Sequence, residues 1–151
     1  MNCFDLKFRV KTASCEAITA HLTQCADCFA PPLYSYVNIK EYGKKIFDNA
    51  VTFEAWDGGK LVGLISAYYN DRETGFGYIT NVSAFESYQA LGIASNLLDQ
   101  AIDYGRKNGF SKVSLEVESD NIKALRLYEK HDFVSEGAVE DCKKIKMFLE
   151  L

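Results

Sequence analysis

The chain has 151 residues, 48% apolar and 25% charged, the size and composition of a globular protein able to bury a sizeable core. Its net charge of −4 excludes the basic field that nucleic acid or an anionic membrane would need, and no 18-residue apolar run is present to span a bilayer. The N-terminus lacks a basic-then-apolar signal pattern, so the expectation is a cytoplasmic protein forming one domain over residues 1–151.

Residues 4–10 alternate apolar and polar side chains and predict a first strand. Ser14 is placed to cap a helix running to about Cys28, with Ile18, Leu22 and Cys25 on one face. Pro31-Pro32 stops that helix and forces an extended loop through Tyr36. Asn38-Ile-Lys-Glu41 matches a capping box and opens a second helix to about Asn49. Strands are predicted at 51–56, 60–69 and 76–84, with Asp57-Gly58-Gly59-Lys60 as a hairpin signal and 70–75 as a second polar turn. The hydrophobic period then changes. Ile93, Leu97, Leu98, Ala101 and Ile102 define a helical face, and Asn108-Gly109 ends that helix. Val113, Leu115 and Val117 alternate with Ser114, Glu116 and Glu118 as a buried strand. A short helix over 121–130 and strands near 133–139 and 144–150 complete the chain. The order β-α-α-β-β-β-α-β-α-β-β predicts an α/β fold with a mixed antiparallel and parallel central sheet and helices on both faces.

Five cysteines, Cys3, Cys15, Cys25, Cys28 and Cys142, form an odd and scattered set. Cys25-Ala-Asp-Cys28 is the only close pair. Without a second pair or a histidine motif it reads as thiols in a reducing compartment, and no metal is expected. His21 sits in a helical stretch with no motif around it.

The stretch with the most chemistry is Gln89-Ala90-Leu91-Gly92-Ile93-Ala94-Ser95, between a predicted strand and a predicted helix. Small residues let the backbone close around an anion, and the helix beginning near Gly92 aims free N–H groups and a positive dipole end at it. Downstream, Glu116 falls on a strand, Asn121 opens a helix, and Tyr128 lies two turns along it. Asn121, Ala124 and Tyr128 share one helical face.

Residues 78–137 resemble the acetyl-CoA-binding core of the GNAT superfamily of N-acetyltransferases. The pattern Q/R-x-x-G-x-G/A stands here as Gln89-Ala90-Leu91-Gly92-Ile93-Ala94, and N-x-x-A-x-x-x-Y as Asn121-Ile-Lys-Ala124-Leu-Arg-Leu-Tyr128, followed by Phe133. The segment from Leu115 to Tyr128 is similar to ribosomal-protein alanine acetyltransferases. The chain departs from many relatives at Ala90, usually Gly, and at Glu86, usually Pro, which loosens the approach to the loop.

The resemblance implies acetyl-CoA as cosubstrate, with no metal. Its pyrophosphate would lie in the cradle from Gln89 to Ser95. Its pantetheine would pair with Val82, Ser83 and Ala84 as an added strand, with Asn121 bonding its arm. Tyr128 is implied as the acid that protonates the thiolate, and Glu116 as the base, with Glu118 and Glu54 as substitutes. His131-Asp132 replaces the usual residues before Phe133. It reads as a cap variant with Asp132 in a left-handed turn, and His131 as structural. The first two helices, Tyr34 and Tyr36 in the loop from Pro31, and the acidic Glu140-Asp141 would set acceptor specificity.

Expected partners are a small-molecule amine or a peptide N-terminus, and a homodimer is the assembly considered; no nucleic acid and no membrane are expected. Transfer to a small amine leads. Protein N-terminal or lysine acetylation and a non-catalytic acyl-CoA sensor are the alternatives.

Overall fold

Three helices begin where a short polar side chain can take an orphan backbone N–H. Ser14 Oγ accepts from Ala17 N at 3.1 Å, Asn38 Oδ1 from Glu41 N at 3.0 Å, and Asn121 Oδ1 from Ala124 N at 3.1 Å. The computed structural model describes residues 5–29, 32–89, 91–138 and 143–151. Expectations for Cys3, Phe4, Pro31, Ala90, Glu140, Asp141 and Cys142 fall outside these residues.

The elements are β1 (Leu6–Val10), α1 (Cys15–Cys25), α2 (Ile39–Asn49), β2 (Val51–Asp57), β3 (Lys60–Asp71), β4 (Phe76–Ala84), α3 (Ile93–Lys107), β5 (Lys112–Glu118), α4 (Ile122–Lys130), β6 (Val134–Ala138) and β7 (Lys144–Glu150). This is the order expected from the sequence. Boundaries shift only locally: α1 stops at Cys25 and gives way to a tight turn over Ala26–Cys28, and β3 runs to Asp71. Gly58 turns the β2–β3 hairpin at φ +60°, a conformation glycine adopts without strain.

The seven strands form one sheet in the order β1-β2-β3-β4-β5-β7-β6. Only β4 and β5 are parallel, joined by the α3 crossover; the other neighbours are antiparallel. Two cores result. Ile93, Leu97, Leu98 and Ala101 of α3 and Tyr128 of α4 bury with Ile65, Ile79, Val113 and Leu115. Ile18 and Leu22 of α1 and Ile46 of α2 bury with Leu61 and Leu64 in a separate cluster. The sheet divides them, which places helices on both faces.

One irregularity matters for the site. Ser66 pairs with Asn81 while Ala67 pairs with Ile79, so Thr80 is an extra residue in β4. Such a bulge re-aims the side chains after it. Asn81 and Ser83 stand opposite Ser66 and Leu64, so they share the α1/α2 face.

Candidate functional site

β4 and β5 pair only from Phe76 with Lys112 to Tyr78 with Ser114. Beyond that point β5 continues against β7, and β4 against β3. Val82, Ser83 and Ala84 therefore pair on one edge only, and the edge facing β5 is open for an extended ligand to add as a strand.

The loop after β4 leads to the start of α3. Gly92 sits at φ +75°, in the left-handed region, and no side chain caps the helix. The first bond within the helix runs from Asn96 N to Gly92 O at 3.0 Å, so the N–H groups of Ile93, Ala94 and Ser95 have no intrahelical acceptor. No acidic residue occupies the first turn. A Cβ on Gly92 would meet no atom within 4 Å, so the backbone there faces open space. This geometry fits a pyrophosphate. Gln89 spans the mouth: its Nε2 donates to Ala84 O at 3.3 Å, and its Oε1 accepts from Lys123 Nζ at 3.3 Å. A cation thus arrives from α4, although the cradle sequence itself has none. The approach without proline is tethered as well. Glu86–Tyr88 forms a tight turn, and Tyr88 donates its hydroxyl hydrogen to Asp57 Oδ2 at 2.5 Å.

On α4, Asn121 spends its Oδ1 on the helix cap, which leaves its amide N–H groups for a ligand. Tyr128 is 7% exposed, its ring against Phe133 at 5.9 Å between centroids. Burial pushes its phenol well above the ordinary range, so the hydroxyl keeps its proton at any physiological pH.

Glu116 is exposed on the opposite face of the sheet from Leu115 and Val117, past the last β4–β5 pair and opposite Lys146 of β7. The partial burial that a base of this kind favours is not present. Its polar neighbour is Tyr78, whose phenol is pushed up to about 12 by burial first and then by the Glu116 carboxylate. Tyr36 likewise feels Glu118, after burial, and Lys144 Nζ lies 5.9 Å from the Tyr36 ring centroid. The loop bearing Tyr36 therefore reaches towards β5 and β7. Tyr34 and Tyr36 are 61% and 55% exposed, so neither ring closes over a pocket in this structure.

Glu54 cannot substitute for Glu116. It is fully buried on β2, separated from β5 by both β3 and β4, and its carboxylate accepts from Thr12 N, Thr12 Oγ1, Ala13 N, Thr52 Oγ1 and Trp56 Nε1 at 2.5–3.0 Å. Those bonds tie the end of β1 to β2.

The two histidines are both structural, in different ways. His131 bonds Leu127 O at 2.9 Å and Ser95 Oγ at 3.2 Å and lies 3.1 Å from Asp99, joining α4 to α3, while Asp132 takes φ +71°. His21 is the residue that sequence reasoning passed over. It is 1% exposed, with Nδ1 2.8 Å from Leu61 O and Nε2 2.8 Å from Ser83 Oγ. The carbonyl requires Nδ1 to donate, so Nε2 accepts the Ser83 hydroxyl hydrogen. Burial lowers its pKa to about 4, which keeps it neutral. Cys25 Sγ lies 3.7 Å from the same Nε2. Only the i, i+4 spacing of His21 and Cys25 could have hinted at this. Among the described residues, no cluster of three or more metal-ligating side chains occurs.

The model of the Acetyltransferase (GNAT) family matches residues 16–133. N-alpha-acetyltransferase MAK3 of Arabidopsis thaliana is 39% identical over 83 residues, covering 54% of this chain and 44% of that protein. Spermidine N(1)-acetyltransferase of Vibrio cholerae is 35% identical over 116 residues, covering 72% and 65%. The chain thus spans less than two thirds of the length of these relatives. Among solved structures, the ribosomal-protein-S18-alanine N-acetyltransferase of Escherichia coli superposes with a TM-score of 0.74 at 20% identity, over 95% and 94% of the two chains. A Bacillus subtilis acetyltransferase in complex with CoA gives 0.72 at 20% identity, over 97% and 99%. These structures share the fold.

Proposed function

The chain belongs to the GNAT acetyltransferase family, and from that premise we propose that it transfers the acetyl group of acetyl-CoA directly to a primary amine of a small molecule. The observation that carries this reading is the opening between β4 and β5, with the uncapped start of α3 at one end and Tyr128 on the adjoining helix. The cradle from Gln89 to Ser95 holds the pyrophosphate through backbone N–H groups, with Lys123 beside it. Val82, Ser83 and Ala84 take the pantetheine along their free edge, and Asn121 donates to it from its amide.

The thioester is already activated, so the protein's task is alignment and proton management. The neutral amine attacks the thioester carbonyl, the C–S bond breaks, and Tyr128 supplies the proton that the departing sulfur takes. Glu116, solvent-facing beside Tyr78, collects the amine's proton through water. Tyr128 and Glu116 lie on opposite faces of the sheet, which is open where β4 and β5 part. That arrangement keeps the leaving thiolate and the attacking amine on separate sides.

Two observations favour a protein substrate as a second reading. Relatives are named as N-alpha-acetyltransferases, and the face around Glu116 is uncovered. The relative named for spermidine supports the small amine. Incubating the protein with acetyl-CoA and panels of amines and peptides, and following free thiol, tests the assignment. Release with small amines supports it, and release with peptides alone replaces it with protein acetylation. CoA binding without any release leaves a sensor.

A further inference from the structure

The first and last residues of the cradle are both tied to α4. Gln89 Oε1 accepts from Lys123 Nζ at 3.3 Å, and Ser95 Oγ lies 3.2 Å from His131 Nε2. Lys123 and His131 stand eight positions apart, about 12 Å of helical rise. The link at His131 does more than join two helices. Its side chain is 8% exposed, and each ring nitrogen faces an acceptor. Nδ1 lies 2.9 Å from Leu127 O in the last turn of α4, and Nε2 lies 3.1 Å from Asp99 Oδ1. A carbonyl and a carboxylate only accept, whereas a neutral imidazole carries a single N–H. Both contacts are hydrogen bonds only when the ring holds two protons and a positive charge. The ring is also the cap of α4, and the negative end of a helix dipole favours a cation there. Among the described residues, Asp99 is the charged side chain of α3 within ion-pair distance of the ring; Glu129, Lys130 and Asp132 flank it in sequence.

Ser95 carries this charge state to the cradle. It is the third residue of α3, and helical side chains tilt towards the N-terminal end, so its Oγ leans towards the cradle. When the charged ring donates to Ser95 Oγ, the hydroxyl hydrogen is left for an anion above the first turn. When the ring is neutral, Nε2 accepts that hydrogen and consumes it. One proton on His131 therefore decides whether Ser95 gives its hydrogen to the ring or to a phosphate. We propose that His131 and Ser95 are a proton-dependent extension of the cofactor cradle, in which the His131 imidazolium turns the Ser95 hydroxyl towards the pyrophosphate of CoA and adds positive charge behind it. His131 is a positioning residue and acts through Ser95. This rests on the acetyl-CoA reading of the cradle and adds the condition under which the cradle binds most tightly.

Calorimetric titration of dephospho-CoA into the full chain, from about pH 6 to about pH 8.5, tests it. This probe lacks the 3′-phosphate, a monoester that itself titrates in the range, and keeps the pyrophosphate. A hydrogen bond to a charged group is worth roughly tenfold in affinity, so wild-type affinity should fall about tenfold as pH rises and the ring loses its proton. His131→Gln should bind at the weaker level at every pH. Asp99→Asn, at a side chain 70% exposed, should move the fall to lower pH, because the carboxylate that favours the charged ring is gone. Should His131→Gln not give a cooperative melt, Ser95→Ala takes its place and should lose at least about half of the pH effect. A flat wild-type profile overturns the proposal. So does a wild-type slope in His131→Gln, a full slope in Ser95→Ala, or an unshifted profile in Asp99→Asn. Tight binding that is indifferent to pH removes the proposal and leaves the cradle. A folded wild type that binds dephospho-CoA at no pH removes the cradle reading and the proposal with it.

Discussion

The two ends of the groove are made of different material. At the proposed cofactor end, the free edge of β4 and the first turn of α3 present backbone, and the side chains that matter are small or absent, as at Gly92. At the proposed acceptor end, on the α1/α2 face, side chains dominate: Tyr42, Tyr68, Tyr78, Asn81 and Glu116, supplied by four elements from α2 to β5. A backbone cradle is specified by a short stretch of sequence and binds a group common to every reaction of its kind. A side-chain pocket assembled from distant elements can change one residue at a time, which is how one fold serves many acceptors.

The largest effect that could break this contrast is at Gly92. Gly92→Glu puts a carboxylate and a strained positive φ where phosphate oxygens approach, and calorimetry should show CoA affinity falling by more than about 100-fold. Open space around the position means the fold should survive, visible as a retained cooperative melt. Unaltered CoA affinity would remove the backbone cradle from the comparison.

Next is Tyr128→Phe, which should lower kcat roughly 10- to 100-fold with little change in the KM for acetyl-CoA, because the hydroxyl acts on charge present only at the transition state. An unchanged kcat would return Tyr128 to the core that buries it.

Glu116→Gln is expected to cost roughly tenfold in kcat/KM near neutral pH and to flatten the acidic limb of the pH–rate profile. If instead the acceptor's KM rises and the profile keeps its shape, Glu116 positions the amine and takes no proton.

The smallest effect concerns His21 and leaves chemistry untouched. Its folded pKa, about 4, lies below the ordinary 6.5, so the unfolded chain binds this proton first as pH falls. The stability it contributes is complete above the unfolded value and is lost towards the folded one, on the order of 1.4 kcal/mol per pH unit. Denaturant melts between about pH 6.5 and 5 should show this slope in the wild type and a shallower one in His21→Gln. Equal slopes would mean that His21 is not held neutral against Leu61 and Ser83.

The sequence by itself determined the element order and where most residues of the proposed cofactor end fall on it. Hydrophobic period, the caps at Ser14, Asn38 and Asn121, and the spacing from Gln89 to Tyr128 are local properties, fixed within one or two turns of chain. Even Asp132 in the left-handed region was legible, because the preference belongs to the residue. The tertiary structure decided what depends on pairing across the sheet. One extra residue at Thr80 leaves no mark on an alternating pattern, yet it turns Asn81 and Ser83 to the α1/α2 face. Glu54 and Glu116 are both strand glutamates in sequence. Which one five donors would bury, and which would stay open opposite Lys146, rested on the neighbours that folding brought to each. His21 meets Leu61 and Ser83 from 40 and 62 residues away, and no local pattern encodes a contact at that separation.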